Sequence, residues 1–205
     1  MGPASEGKVT KWRQVRMAFP DRPLALFGPG TESGTFDYFT LAIVGAQSKS
    51  RHDYSSSEDD TVLVDAVARN PYALGYFGYA YYAANKDRLK LVAVDGGKGC
   101  VMPSPDAVAD GTYQPLSRPL FIYASRKSML RPEAKAFAEF YVSPENATRV
   151  ERVGYVALPP ATLLSVMRRL EQNVTGSIFG GQGSVLSVTS GTFQDEDQLK
   201  SALVR

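Results

Sequence analysis

The sequence predicts an α/β protein, and three features support that prediction. Short apolar runs alternate along the chain with segments in which apolar residues recur at helical spacing. A turn rich in glycine and hydroxyl residues, at positions 28–35, joins the first apolar run to the first such segment. The 205 residues, with an apolar fraction of 43%, are enough for one large domain or two small lobes.

Composition excludes several classes of protein. The net charge is only +2 and the basic residues are scattered, so no nucleic-acid partner is expected. The single cysteine, Cys100, provides neither a disulfide framework nor a metal-ligand spacing, and no cofactor is expected. No apolar stretch approaches the ~20 residues that span a bilayer. Residues 1–11 hold no apolar run, so no signal peptide is expected in them.

The first predicted strand covers residues 24–27 and leads through the turn into a helix that stops at Gly45. Apolar side chains recur on one face of this helix at Phe36, Phe39 and Ile43. That stripe is expected to face a core.

The same alternation continues beyond this helix. The acidic run at 58–60 is expected to cap a helix over residues 60–69. Residues 73–82 predict a strand that turns into a short helix. Two buried strands are predicted over residues 89–94 and 120–124.

The last third of the chain is predicted to be helical. Pro132 stands at the first turn of one helix, and further helices are predicted over residues 145–153 and 160–173. Apolar side chains share a face of the first of these helices at Ala134, Phe137, Ala138 and Tyr141. Residues 175–205 are rich in glycine, serine and threonine and form a predicted tail with a small helix near 195–204.

The turn at residues 28–35 is suited to hold a tetrahedral oxyanion. The first amides of a helix have no intrahelical acceptor and lie at the positive end of its dipole. Gly34 permits close approach, and the hydroxyls of Thr31, Ser33 and Thr35 can donate further hydrogen bonds. The alternative is an ordinary strand-to-helix turn with a serine or threonine cap.

Three other motifs do not fit this turn. A nucleotide-hydrolysing P-loop needs a lysine before its serine or threonine, and none is present. A dinucleotide fingerprint needs glycine at position 33, where a serine stands. A serine-nucleophile elbow needs one residue fewer between Gly30 and Ser33.

The polar loop after the first helix contains two residues of interest. The Arg51 guanidinium offers a planar fork to an oxyanion, the alternative being a solvated loop charge. His52 is the only histidine, which makes Ser33, His52 and Asp53 the one triad to consider. Because adjacent His and Asp side chains can hardly form an in-line relay, the chain is not expected to be an enzyme.

Four motifs, in order and with compatible spacing, indicate a family. They lie at residues 7–12 (GKVTKW), 30–36 (GTESGTF), 73–81 (ALGYFGYAY) and 154–159 (GYVALP). With these motifs the chain resembles the phosphate-specific periplasmic substrate-binding proteins of ABC transporters, the PstS/SphX type. The resemblance implies a periplasmic-binding-protein-like fold of type 2, in which phosphate lies in the cleft between two lobes.

The resemblance also implies phosphate ligands. Ser33, Gly34 and Thr35 match the Ser-Gly-Thr that grips phosphate, and Thr31 lies in the same turn. Glu32 stands where the family more often has aspartate, a carboxylate that accepts the phosphate proton. In some members of the family the phosphate arginine stands just upstream of this motif, where this chain has Pro29, so Arg51 is the substitute candidate by reach and chemistry.

The family has substantial sequence before the segment matching residues 7–12, which builds most of its first lobe. Residues 1–174 are therefore expected to form one complete lobe plus C-terminal helices of an incomplete second lobe, with a lobe-crossing strand near 118–125. The apolar stripes of the helices at 131–173 would then lack a sheet to cover them, which implies a protein partner over residues 131–173.

Two functions follow from the resemblance. In the first, the chain captures inorganic phosphate for transport, outside the cytoplasm and in association with a membrane complex. In the second, it is a truncated PstS-like domain that serves as an accessory subunit of a larger complex, with its phosphate binding weakened or lost.

Overall fold

The computed structural model describes residues 1–176, and these divide in sequence into two units between Val92 and Ala93. Both units mix helices and strands, which confirms the predicted α/β class. The predicted tail lies outside the described residues from position 177 onward, and with it the helix near 195–204. The division expected between residues 174 and 175 stays a prediction.

The secondary structure of unit 1 begins after a 3-10 turn at Pro3–Ser5 and runs in the order α1 (Trp12–Val15), β1 (Ala25–Gly28), α2 (Gly34–Phe39), β2 (Ser55–Ser56), α3 (Asp60–Ala68), β3 (Ala73–Gly75) and α4 (Tyr79–Ala83). β1 lies between β2 and β3, and both pairs are parallel. Phe27 is the residue of β1 that pairs on both sides, with Ser55 of β2 and Gly75 of β3. Because the strands are parallel, the loops that follow them leave from one edge of the sheet.

α2 continues as a π-helical turn, Thr40–Val44, and this shifts the buried face of the helix. Phe36 is buried at 3% exposure, as predicted, but Ile43 is 47% exposed, so its place in the predicted stripe is wrong. The wider π turn rotates the residues that follow Thr40 relative to an α-helical spacing. Gly45, at φ 82°, ends the helix as predicted.

Thr40 fixes the π turn to the loop that follows it. Its side chain is fully buried, and its Oγ1 donates to the carbonyl of Phe36 at 2.9 Å. The same oxygen accepts from the amide of Ser48 at 2.9 Å. One buried hydroxyl therefore satisfies backbone groups on both sides of the turn.

The helices of unit 1 begin largely where the sequence predicts. Asp59 caps α3, and its Oδ1 accepts from the Thr61 amide at 2.8 Å. α3 buries Leu63 and Val64 at 1% exposure each. The segment of β3 and α4 confirms the strand that turns into a short helix.

The N-terminal segment of unit 1 is fixed by the only tryptophan of the chain. The indole Nε1 of Trp12 donates to the carbonyl of Tyr72 at 2.9 Å. Phe19 packs edge-on against the indole, with ring centroids 5.6 Å apart. Lys11 and Pro23 form an isolated antiparallel bridge beside it.

Unit 2 runs in the order β4 (Val94–Asp95), β5 (Cys100–Val101), α5 (Pro105–Ala109), α6 (Arg126–Met129), α7 (Pro132–Val142), α8 (Ala147–Arg152) and α9 (Pro160–Glu171). β4 and β5 form an antiparallel hairpin. Its turn is closed by Asp95 Oδ1, which accepts from the amides of Gly97 and Gly99 at 2.8 and 3.0 Å. Both glycines have φ near 100°, a conformation that side chains rarely adopt.

Two predicted strands are corrected by the structure. In the segment 89–94 only the last residue belongs to a strand, Val94–Asp95. Residues 118–125 form no strand in the described chain, and Leu120 and Tyr123 are 63% and 88% exposed. An apolar run becomes a buried strand only beside a sheet, and the described part of unit 2 offers just the short hairpin of β4 and β5.

The helices of unit 2 start as predicted but leave apolar side chains exposed. Pro132 is the first residue of α7, and α7 buries Ala138 and Val142. The large side chains of α7 are half exposed or more, at Phe137 (64%), Phe140 (50%) and Tyr141 (51%). We call these three residues the α7 apolar face; they lie on one side of the helix by their spacing.

Replacing Thr40 by valine is expected to lower the free energy of unfolding by about 1–3 kcal/mol, because the Ser48 amide loses its acceptor. Thr40→Ser keeps the hydroxyl and should cost less. The measurement is urea-induced unfolding followed by far-UV circular dichroism. Equal stability of Thr40→Val and the wild type would show that the hydroxyl is dispensable.

Candidate anion-binding site

The predicted anion turn lies at the edge of the sheet where the parallel strands end. β1 ends at Gly28 and β2 at Ser56, and these two residues are partners in the register. The loops beyond them are joined, because the amide of Ser57 donates to the carbonyl of Gly28 at 3.3 Å. The hydroxyl of Tyr54 donates to the carbonyl of Pro29 at 2.9 Å. Parallel sheets bind ligands at this edge.

Ser33 starts α2 and is both a cap and a donor. Its backbone is extended, and its Oγ accepts from the Thr35 amide at 3.1 Å. A hydroxyl that accepts one hydrogen bond still has its own proton to donate. The Thr35 amide is therefore occupied by the cap, while Ser33 O–H can still bind an anion.

The other predicted ligands of this turn face outward. Gly34 is exposed, and among residues 1–176 no acceptor is found for its amide. Thr31 and Glu32 are exposed, and Thr35 is half-buried. Gly34 and the hydroxyl residues Thr31, Ser33 and Thr35 thus lie within five consecutive residues of this turn.

Glu58 is a part of this site that the sequence did not identify. Its Oε1 accepts from the amide of Glu32 at 3.3 Å. The carboxylate also lies against Gly30, where an added Cβ would come within 2.1 Å of Oε1. From the sequence, Glu58 belonged to the acidic run that caps α3, but it is Asp59 that forms the cap.

The side chains around this carboxylate are acidic or neutral. Burial raises the pKa of Tyr54, and the Glu58 charge raises it further. Burial raises the pKa of Asp60 as well, and the charges of Asp59 and Glu58 add to the effect. The attraction for an anion at this edge therefore comes from amides and hydroxyls of the turn.

The Arg51 guanidinium is neither exposed to solvent nor free to make a bidentate contact with an anion. The side chain is 3% exposed, and both its Nε and its Nη2 bind the carboxylate of Asp53. Nη2 also donates to the carbonyl of Val9 at 3.1 Å. In the described residues only Nη1 is left without an acceptor. The role of Arg51 as a phosphate ligand stays a prediction, and it now rests on this one nitrogen.

The Arg51–Asp53 pair shifts both pKa values. Its hydrogen bond raises the pKa of Arg51, against an opposing effect of burial. The pKa of Asp53 is held well below its usual range by the Arg51 hydrogen bond and then by the Gly7 amide, which donates at 3.0 Å.

The triad of Ser33, His52 and Asp53 is not assembled. His52 is 88% exposed at its side chain, and its Nδ1 lies 3.3 Å from Oε2 of Glu6. The Asp53 carboxylate is occupied by Arg51. The enzyme hypothesis therefore has no geometric support in this loop.

A buried hydroxyl lies at the end of β3. The ring of Tyr76 stacks on Phe39 with centroids 3.8 Å apart and covers Gly28, where a Cβ would lie 2.5 Å from Cε1. Its Oη is buried, and within residues 1–176 it has no hydrogen-bond partner. Burial raises the pKa of Tyr76, so the hydroxyl keeps its proton and can act as a donor.

Known proteins provide independent information on this chain. The family model described as a PBP superfamily domain matches residues 5–145. The protein SphX of Synechocystis sp. is 46% identical over 190 residues, which cover 92% of this chain and 56% of SphX. The phosphate-binding protein PstS of Staphylococcus epidermidis is 34% identical over 168 residues, covering 80% of this chain and 50% of PstS.

Solved structures show the same relationship. A possible phosphate-binding protein from Planctomyces limnophilus matches with a TM-score of 0.67 and 43% identity, over 82% of this chain and 60% of that protein. A putative phosphate ABC transporter substrate-binding protein from Clostridium perfringens, solved with bound phosphate, matches with a TM-score of 0.60 and 26% identity over 75% of this chain and 58% of that protein. The chain thus spans between 50% and 60% of the length of these relatives.

Residues 1–176 contain neither a membrane span nor a metal cluster. No described helix is both long enough and apolar enough to cross a bilayer. No group of three or more histidine, cysteine or acidic side chains in this part of the chain is arranged to hold a metal ion.

Asp53→Asn is expected to destabilise unit 1 at neutral pH, because Arg51 keeps its charge and loses its counter-charge. Because the pKa of the Asp53 carboxyl is lower in the folded than in the unfolded protein, its charge stabilises the fold at any pH above the unfolded-state pKa. That contribution is lost progressively as the pH falls below about 4. The variant should therefore lose less stability than the wild type on acidification.

The measurement is the urea midpoint of both proteins at about pH 7 and about pH 3. Asp21→Asn is the control, because it breaks the exposed Lys11–Asp21 pair, with side chains 52% and 50% exposed, and should change little. An equal midpoint for Asp53→Asn and the wild type at neutral pH would contradict the structural role of the pair.

Proposed function

Because the chain belongs to the PBP superfamily, we propose that it binds inorganic phosphate at the start of α2 and takes part in phosphate uptake. The observation that supports this most is the exposed Gly34 amide beside the Ser33 hydroxyl, at the edge of a parallel sheet. The names of the relatives agree with phosphate as the ligand: the PstS relative is a phosphate-binding protein, and the Clostridium perfringens structure contains phosphate.

Each residue of the turn has a distinct part in this proposal. The Gly34 amide donates to a phosphate oxygen at the positive end of the α2 dipole. The hydroxyls of Ser33, Thr31 and Thr35 donate to the other oxygens without adding charge. Arg51 is a further candidate through Nη1 only.

Glu32 is the weakest member of the proposed ligand set. Its side chain is exposed, and its contact in the structure is made by the backbone, since its amide donates to Glu58. A carboxylate can accept a proton from bound phosphate. To do so, the Glu32 side chain would have to turn toward the phosphate.

The proposed site takes the phosphate from one side. The chain spans 56% of SphX and 60% of the Planctomyces limnophilus protein. We propose that polypeptide equivalent to the unmatched part supplies the remaining ligands. Each missing charge-assisted hydrogen bond is worth about 1.5–3 kcal/mol. We therefore expect the 205-residue chain alone to bind phosphate weakly.

We also propose a protein partner over residues 131–173, which the exposed apolar surface of unit 2 supports. Unpaired apolar faces of this kind are uncommon on monomers. The α7 apolar face and the exposed run at 120–123 would then be covered by polypeptide equivalent to the unmatched part of the relatives. In that setting the chain works outside the cytoplasm with an ABC transporter, the class of transporter named for the Clostridium perfringens relative.

The accessory-subunit role is the alternative function, favoured by the acidic groups around the turn and by the occupied Arg51. Both features weaken anion binding. The role in the alternative function is then to assemble with other subunits of a larger complex. Phosphate affinity distinguishes the two functions, because an accessory subunit needs none.

Isothermal titration calorimetry of the 205-residue chain is expected to give a phosphate affinity at least about 100-fold weaker than that of the Clostridium perfringens protein. Ser33→Ala should weaken binding by about a further fivefold or more, since one hydroxyl donor is lost. Ser104→Ala is the matched control, because Ser104 caps α5 in the same way, accepting from the Ala107 amide at 3.1 Å.

Submicromolar binding by the isolated chain would show that the other ligands are unnecessary and that the site is misplaced. Equal affinity of Ser33→Ala and the wild type would show that phosphate does not bind at the start of α2. Loss of affinity in both serine variants would point to instability.

Phe137→Glu is expected to abolish binding of the proposed partner without lowering the stability of the chain, because the side chain is already 64% exposed. The probe is a tagged polypeptide with the part of Synechocystis SphX that this chain does not match. Met17→Glu, at a side chain 78% exposed in unit 1, is the control and should leave capture unchanged. Equal capture of Phe137→Glu and the wild type would exclude the α7 apolar face.

A further inference from the structure

We propose that Glu58 is a built-in competitor for the anion and that it sets the affinity of the turn at the start of α2. The inference rests on the proposed function, because it assigns a residue that governs phosphate binding at that same turn. Its basis is that the turn already holds a negatively charged oxygen: Oε1 of Glu58 accepts from the amide of Glu32, two residues before Gly34.

The contact is built into the backbone on both sides of Glu58. The amide of Ser57 is bonded to the carbonyl of Gly28, and the amide of Asp59 donates to Oγ of Ser57 at 3.1 Å. Asp59 in turn caps α3. These bonds fix the main chain at the end of β2, so the side chain of Glu58 extends toward the neighbouring turn.

Gly30 makes the approach possible. A Cβ at this position would lie 2.1 Å from Oε1 and 2.9 Å from Cδ of Glu58. Any larger residue would displace the carboxylate. The glycine therefore leaves the space that the Glu58 carboxylate occupies.

The hydrogen bond is of the kind that a stronger anion can replace. At 3.3 Å it is longer than the usual range for an amide donor, and it is exposed. In the described residues no lysine or arginine pairs with Glu58, and the ionisable groups around it are Tyr54, Asp59, Asp60 and Glu32. A carboxylate without a cation gains little by staying, yet its charge opposes an incoming phosphate.

Phosphate must therefore displace the Glu58 carboxylate from the Glu32 amide or bind beside its charge. Either event lowers the apparent affinity of the turn. Residues that have no part in holding phosphate can in this way tune how strongly the chain retains it.

Glu58→Ala is expected to tighten phosphate binding about three- to tenfold. The reason is that it removes one negative charge close to the phosphate in a partly solvated turn. Glu58→Gln removes the charge but keeps the acceptor, and should gain less. Gly30→Ala keeps the charge of Glu58 but displaces its carboxylate from the turn, and should also tighten binding. Asp59→Asn removes one charge next to Glu58 while keeping a capping residue, and should change the affinity less than twofold.

The affinities are measured by calorimetry with inorganic phosphate, and the backbone amide of Glu32 is followed by NMR without phosphate. The amide resonance should shift in Glu58→Ala and Gly30→Ala and stay in place in Asp59→Asn. Unchanged or weaker phosphate binding by Glu58→Ala, with a wild type that binds, overturns the inference and leaves the proposed function intact. Equal tightening in Asp59→Asn also overturns it, since general charge would explain the gain. Absence of binding in the wild type and in every variant overturns the proposed function and the inference together.

Discussion

The parallel pairing of β1 with β2 and β3 is the constraint on which unit 1 depends. It places the ends of the strands at one edge, and residues distant in sequence meet there. The bonds from Tyr54 to Pro29 and from Ser57 to Gly28 follow from that arrangement. Without the parallel register, α2 would still be a capped helix, but the turn before it would not meet Glu58.

The electrostatics of this edge favour an anion only weakly. A helix start supplies the equivalent of about half a positive charge. The one buried cation nearby in sequence, Arg51, is compensated by Asp53. Glu58, Asp59 and Asp60 add negative charge at the end of β2. Strong anion binding at this edge would need donors from outside the turn.

Local signals in the sequence predicted the local elements well. The serine cap at Ser33, the stop at Gly45 and the proline at the start of α7 each act within one turn of chain, so their outcome does not depend on distant residues. The confirmed resemblance to phosphate-binding proteins rested on such motifs as well.

The errors come from contacts that spacing cannot reveal. The π turn at Thr40 changes which residues face inward, and nothing in the periodicity before it indicates the change. Residues 118–125 are apolar enough for a buried strand, but a strand also needs neighbours, which the described chain does not supply. The sequence placed Glu58 in the acidic run that caps α3. Its contact with Glu32 was missed because the two residues are 26 positions apart in the sequence.

The position of Trp12 has a consequence for spectroscopy. It is the only indole in the chain, and it is anchored in unit 1 through the carbonyl of Tyr72 and the ring of Phe19. Its fluorescence therefore reports on unit 1, whereas far-UV circular dichroism sums the helices of both units, among them α7 and α9 of unit 2. Recording both signals during one denaturation tests whether the two units melt together, without introducing any label.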